Sequence, residues 1–133
     1  MGEERKIVYP ELYRHFKGRI YATIGIVIGI TPDKLADICK KNNTTIGRAH
    51  NIGVHSETSK ETTVLKIGNR FYYLNKKGDK EGLVMYKSIE TGKVWLTPLR
   101  MFAEEASLEE QEKYGQKYKF QIVESKFVKS CYI

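Results

Sequence analysis

Cysteine is scarce in this chain: Cys39 and Cys131 are the two thiols in 133 residues. Two thiols make neither a disulfide framework nor a metal-binding quartet, and a reducing compartment is their natural setting. Long hydrophobic runs are missing too. The greasiest stretch, Ile20 to Ile30, is broken by Thr23, Gly25 and Gly29, so it falls short of the roughly 18 apolar residues that a membrane span requires. The opening residues Met1 to Lys6 are charged and hold no apolar segment of the signal-peptide kind. A location in the cytoplasm of a bacterial host is therefore expected, with no membrane partner. Low-complexity segments, internal repeats and long linkers are also lacking, and residues 1–133 read as a single domain.

Catalytic signatures are equally thin. The sequence has no phosphate-binding loop, no GxGxxG, no GxSxG elbow and no HExxH. No cofactor and no enzymatic activity are expected. His15, His50 and His55 are too scattered for a metal site, and each reads as an ordinary hydrogen-bonding residue. A minor enzymatic reading would use His15 or His55 as general base. Cys39 falls on the apolar stripe of an expected helix and reads as core.

What the chain does have is aromatic mass and positive charge. Nine Tyr, five Phe and one Trp, with 41% apolar residues, suffice for a packed core and exclude general disorder. Lys plus Arg outnumber Asp plus Glu by 23 to 16, a formal charge of +7. That surplus favours anionic partners, either the phosphates of a nucleic acid or those of a small nucleotide. The lysines are spread along the chain and suit a solvated surface. Arginines are more informative, because a guanidinium can grip a phosphate with two donors at once.

The local patterns point to α+β. Arg19 to Val27 is rich in β-branched residues and predicts a strand. Thr31-Pro32-Asp33 then supplies an N-cap, a first-turn proline and an acidic first turn, which predict a helix from Thr31 to Lys41 with Leu35, Ile38 and Cys39 on its apolar side. From residue 52 onward short alternating segments (64–67, 70–74, 83–86, 94–96) are separated by Gly68-Asn69, Lys77-Gly78-Asp79 and Thr91-Gly92 turns. Ser107-Leu-Glu-Glu110 is a capping box that opens a helix to about Tyr114, and 118–123 predicts a last strand. The expected architecture is a compact, strongly bent antiparallel sheet or small barrel with two short helices, the first in a helical insertion at about 29–50.

Three segments carry a resemblance. They are Tyr13-Arg-His-Phe-Lys-Gly18 with Ile20-Tyr21 and Gly25-Ile26; Val54-His-Ser-Glu-Thr58; and Leu83-Val-Met-Tyr86 followed by Val94-Trp95-Leu-Thr-Pro98-Leu99 and Met101-Phe102. In order and residue type they resemble a small family of bacterial and phage domains of unknown function. Its marks are a YRHxKG opening, an HSET motif and a tryptophan strand ending in RPLxMF. Residues 27–52 and about 65–82 look like insertions relative to it, and Thr97 stands where the family usually has arginine. The resemblance covers about a third of the chain, and implies a compact β-rich fold without an assigned activity.

The same segments supply the candidate site. Arg14, His15, Lys17 and Arg19 cluster around a glycine turn, and His55, Ser56 and Thr58 bring an imidazole and two hydroxyls to an expected loop. Arg100 follows the tryptophan strand, and Tyr73 lies in the run Phe71-Tyr72-Tyr73 as a candidate stacking surface. If the sheet bends, these residues converge on one concave face and hold a phosphate-bearing, nucleotide-derived small molecule. The bland counterpart is a set of surface ion pairs, Arg14 with Glu57 and Arg100 with Glu104. Trp95 and Phe102 read as core. In size and chemistry the chain is also similar to phage anti-defence proteins that sequester cyclic ADP-ribose-type or cyclic nucleotide immune signals, so capture of such a signal by a homo-oligomer is the leading expectation. The alternative is a DNA- or RNA-binding module. Residues 24–41 have the glycine and apolar spacing of a helix-turn-helix, with Lys34, Lys40 and Lys41 near phosphates.

Overall fold

The computed structural model describes residues 6–43, 50–56, 58–75 and 82–123, with backbone alone at 50–52. In chain order the elements are β1 (Glu11–His15), β2 (Ile20–Ile30), α1 (Pro32–Lys41), β3 (His50–His55), β4 (Glu61–Ile67), β5 (Arg70–Leu74), β6 (Leu83–Ser88), β7 (Val94–Pro98), α2 (Leu99–Phe102), α3 (Leu108–Tyr114) and β8 (Phe120–Ile122). The expected turn at Lys77-Gly78-Asp79, Glu57 and the tail from residue 124, Cys131 included, lie outside the described residues.

Six strands close into a barrel in the order β5-β4-β3-β7-β6-β2, sealed by a β2–β5 pairing. β1 and β8 extend the sheet from the first half of β2. The small α+β barrel expected from the sequence is thus the fold, with two refinements. A third, four-residue helix follows β7. Two of the barrel's contacts, β2–β5 and β3–β7, are parallel rather than antiparallel.

The closure depends on β2. Tyr21 and Thr23 lie opposite Ser88 and Tyr86, but Gly25 lies opposite Met85, so Ile24 is an extra residue in a β-bulge. A bulge shifts the alternation of side chains by one. Before it, odd-numbered Tyr21 faces outward with Tyr86, ring centroids 5.3 Å apart; after it, odd-numbered Val27 faces the lumen. One strand can therefore serve an outer cluster with its first half and the barrel interior with its second.

The lumen is filled. Val27, Val64, Leu83, Met85 and Leu96 form its buried cluster, with Phe71, Tyr73 and Val94 packed against it. Two outer clusters flank the barrel. In one, Leu35, Ile38 and Cys39 of α1 pack on Ile30, Leu65, Ile67 and Tyr72. In the other, Tyr13, Val84, Tyr86 and Phe102 are gathered with Tyr21, Ile26, Trp95 and Phe120.

The helices start as their sequences predict. The Thr31 side chain accepts from the Lys34 amide and Pro32 opens α1, while Ser107 and Glu110 form a reciprocal capping box on α3. Because β2 runs from Ile20 to Ile30 as an extended strand, residues 24–41 form a strand followed by one helix. The helix-turn-helix expectation is overturned: the β-branched run Ile24 to Ile30 takes the extended backbone it favours and finds strand partners on both sides. Among the described residues, no helix is long and apolar enough to cross a membrane.

Candidate functional site

The β1–β2 hairpin turns at Phe16 to Arg19. His15 donates its amide to the Arg19 carbonyl at 2.9 Å and its carbonyl accepts from Gly18 N at 2.7 Å. Gly18 has φ +104°, a conformation that a side chain would strain. The His15 imidazole helps to shape the turn: its Nδ1 accepts from the Lys17 amide at 3.2 Å. The ring lies against Phe16, centroids 4.3 Å apart, and edge-on to Phe120 at 4.9 Å. Burial lowers the His15 pKa below its ordinary value, Lys17 and Lys119 add to the effect, and Glu110 opposes it.

Arg14 is held from beneath. Gln116, 3% exposed, donates Nε2 to the carbonyls of Arg14, Tyr118 and Lys119, and its Oε1 accepts from Arg14 Nε at 3.4 Å. That bond engages the inner nitrogen of the guanidinium and leaves its outer fork to solvent. Two carboxylates of the segment before α3 are taken by other cations: Glu104 pairs with Lys119 at 3.1 Å and Glu105 with Lys117 at 3.9 Å. Among the described residues no carboxylate pairs with Arg14, Lys17 or Arg19. Sequence reasoning missed Gln116, since a lone glutamine 102 positions from Arg14 carries no local signal.

The remaining predicted residues lie elsewhere. His55 ends β3 opposite Leu96, Leu96 lies opposite Met85, and Met85 opposite Gly25. Arg14 lies opposite Ile20, five residues earlier on β2 and on the strand beyond it, so the two differ by about 16 Å along the strand direction alone. Arg100 is exposed on α2, past the far end of β7. The expected convergence on one concave face does not occur. Arg14, His15, Lys17 and Arg19 share one end of the barrel, and His55, Ser56, Thr58, Tyr73 and Arg100 lie toward the other.

Tyr73 is partly buried and packs against the lumen cluster, because its register opposite Gly29 puts it on the same face of β5 as Phe71, opposite Val27. Ser56 and Thr58 act chiefly within the fold. Thr97 Oγ1 donates to Ser56 Oγ at 2.9 Å and, having given up its one proton, accepts from the Tyr86 hydroxyl at 2.7 Å. Burial, opposed by the Thr97 bond, raises the Tyr86 pKa to about 12. Thr58 Oγ1 accepts from the Lys60 amide at 3.3 Å. Glu104, suggested as a partner for Arg100, pairs with Lys119 at 3.1 Å.

The motif segments also meet in space. Val54 pairs with Trp95, and Tyr13 sits edge-on to Phe102 with centroids 5.2 Å apart. Residues of all three segments thus take part in packing the fold. Trp95 and Phe102 join the outer cluster as expected, Trp95 with Lys93 Nζ 4.1 Å above its ring.

A cleft of about 470 Å³ opens between the hairpin and α3, lined by Phe16, Lys17, Ser107, Glu109, Glu110, Lys113 and Tyr114. The backbone hydrogen bond of Ser107 holds the Glu110 carboxyl below its usual pKa, so it stays charged at neutral pH. This balanced lining suits an anion less than the hairpin beside it. No group of His, Cys, Asp or Glu among the described residues is arranged to hold a metal ion. In comparisons with known proteins, no family model matches the chain, and no curated protein or solved structure is significantly similar to it.

Proposed function

We propose that the chain is a non-enzymatic binding protein that captures a phosphate-bearing, nucleotide-derived small molecule at the β1–β2 hairpin. The observation that carries this reading is the anchored Arg14: a buried glutamine fixes Nε and leaves the outer fork exposed, beside Lys17 and Arg19, with which no carboxylate among the described residues pairs. A pre-positioned fork loses less side-chain freedom when it meets a phosphate. The filled lumen supports surface capture over an internal cavity.

The order of the three motifs supports kinship with the small bacterial and phage domain family. Size and basic, arginine–aromatic chemistry support a role as a phage anti-defence protein, sequestering a cyclic ADP-ribose or cyclic nucleotide signal in the bacterial cytoplasm as a means of immune evasion. Self-association fits the same reading. α3 buries none of its residues within the chain and leaves Leu108 81% exposed, which supports a homodimer or higher oligomer formed through it.

The test is calorimetric titration against cyclic nucleotides and ADP-ribose derivatives. Arg14→Ala should weaken binding by at least about tenfold, since a charged hydrogen bond is worth roughly 1.5–3 kcal/mol. Arg100→Ala, past the opposite end of the barrel, is the control and should leave affinity unchanged. Absence of binding by the wild type below millimolar ligand would end the reading. Repeating the titration with DNA and RNA at about 50 and 200 mM salt separates the nucleic-acid alternative, for which affinity would fall about a thousandfold or more if six or more phosphates are contacted.

A further inference from the structure

The end of α1 and the β4–β5 turn enclose a second cleft, of about 450 Å³, within the size range of small-molecule sites. Its lining has two cations, Lys41 and Arg70, two carboxamides, Asn42 and Asn69, and an apolar floor of Ile38, Ile67 and Tyr72. No carboxylate takes part. Both cations are exposed, and no carboxylate among the described residues pairs with them.

The walls are well defined. Gly68 has φ +62°, and with Ile67 opposite Arg70 it makes Gly68-Asn69 a two-residue hairpin loop of the glycine-first kind. A Cβ on Gly68 would lie 3.4 Å from Asn42 Oδ1, so the turn and the helix end are in near contact. A helix C-terminus ordinarily disfavours anions, because its last carbonyls are unpaired. Here the Ile38 carbonyl accepts from Asn42 N at 3.0 Å and Asn42 Nδ2 at 2.9 Å, and the Lys40 carbonyl accepts from Asn43 N at 3.2 Å. Lys40 and Lys41 in the last turn offset the rest.

We infer that this cleft is a binding site for a nucleoside monophosphate: Lys41 and Arg70 take the phosphate, the apolar floor takes the base, and the two asparagines hydrogen-bond its edge. Cations at the edge, the edges of the buried Ile67 and Tyr72 with Ile38, and neutral carboxamides together match a ligand with one anionic end and one apolar, polar-edged part. The site is separate from the hairpin. Arg14 lies opposite Ile20, while Phe71, next to Arg70, lies opposite Val27. The two arginines are thus about six residues apart along β2, or ~20 Å, beyond the reach of one mononucleotide.

The experiment is an amide NMR titration of the full chain with adenosine 5′-monophosphate and, in parallel, inorganic phosphate. The nucleotide should shift the Asn42, Gly68 and Asn69 amides together and saturably, with inorganic phosphate at least about tenfold weaker. Lys41→Ala and Arg70→Ala should each weaken the nucleotide about tenfold while preserving the remaining spectrum, as both side chains are exposed. Arg14→Ala should leave these shifts untouched, so failure at the hairpin and failure here are read separately. The inference is overturned if these amides show no saturable shift, if phosphate matches the nucleotide, or if both alanine variants bind as the wild type does.

Discussion

At the scale of single residues, His15 has the most consequential environment. Its neutral ring accepts the Lys17 amide through Nδ1, and a protonated ring would have to surrender that bond while facing Lys17 and Lys119. Burial holds its folded pKa below the ordinary histidine value of about 6.5, so the unfolded chain binds the proton more readily and acid favours unfolding. The stability due to the neutral ring is fully present above about pH 6.5 and is lost as pH falls from there through the folded pKa. The stability difference between wild type and His15→Gln, measured by urea unfolding at pH 8 and at successively lower pH, should therefore shrink below about 6.5. A difference constant with pH would show that the ring's protonation does not matter to the turn. The hairpin cations were legible in the sequence because they lie within six positions of each other. Gln116 was not, because its partners come together only when β8 pairs with β1.

At the scale of elements, the bulge in β2 decides most of the architecture. It lets Gly25 sit opposite Met85, directly beneath the Phe71 ring. A Cβ at Gly25 would lie 2.8 and 2.9 Å from Phe71 ring carbons, so the glycine is required by space rather than by its backbone angles. Gly25→Ala should destabilise the barrel by about 1–3 kcal/mol through overpacking, read as a lower urea midpoint with an unchanged slope. Adding Phe71→Leu should recover part of that loss, and no recovery would place the strain elsewhere. The element ends were readable in advance: Thr31-Pro32 and Ser107 to Glu110 cap their helices in the sequence as in the structure. The bulge was not readable, because nothing in Thr23-Ile-Gly25 states which neighbour it will oppose.

At the scale of the whole molecule, a closed barrel with a filled lumen removes most sheet edges, and on such scaffolds binding residues are commonly carried by the loops. α3 is the exception to efficient burial. It is well capped yet contributes no buried residue, and its apolar Leu108 is 81% exposed, which is the feature the proposed self-association rests on. Sedimentation at micromolar concentration should show at least a dimer, and Leu108→Glu should shift it toward monomer with the fold retained. A wild-type monomer under those conditions would remove the oligomer from the proposal.

What the sequence determined by itself was local: the β-branched strand before Thr31, the capped helices, the Gly68-Asn69 turn, the buried Cys39 and the unusual density of cations at the first hairpin. These follow from steric preference and hydrogen bonding within a few residues of the chain. The tertiary structure alone decided the parallel β2–β5 and β3–β7 contacts, the separation of His55 and Arg100 from Arg14, the turning of Tyr73 toward the lumen, and the meeting of Lys41 with Arg70 in one cleft. Each depends on register between strands distant in sequence. A one-residue bulge at Ile24 reverses the faces of everything that follows along β2.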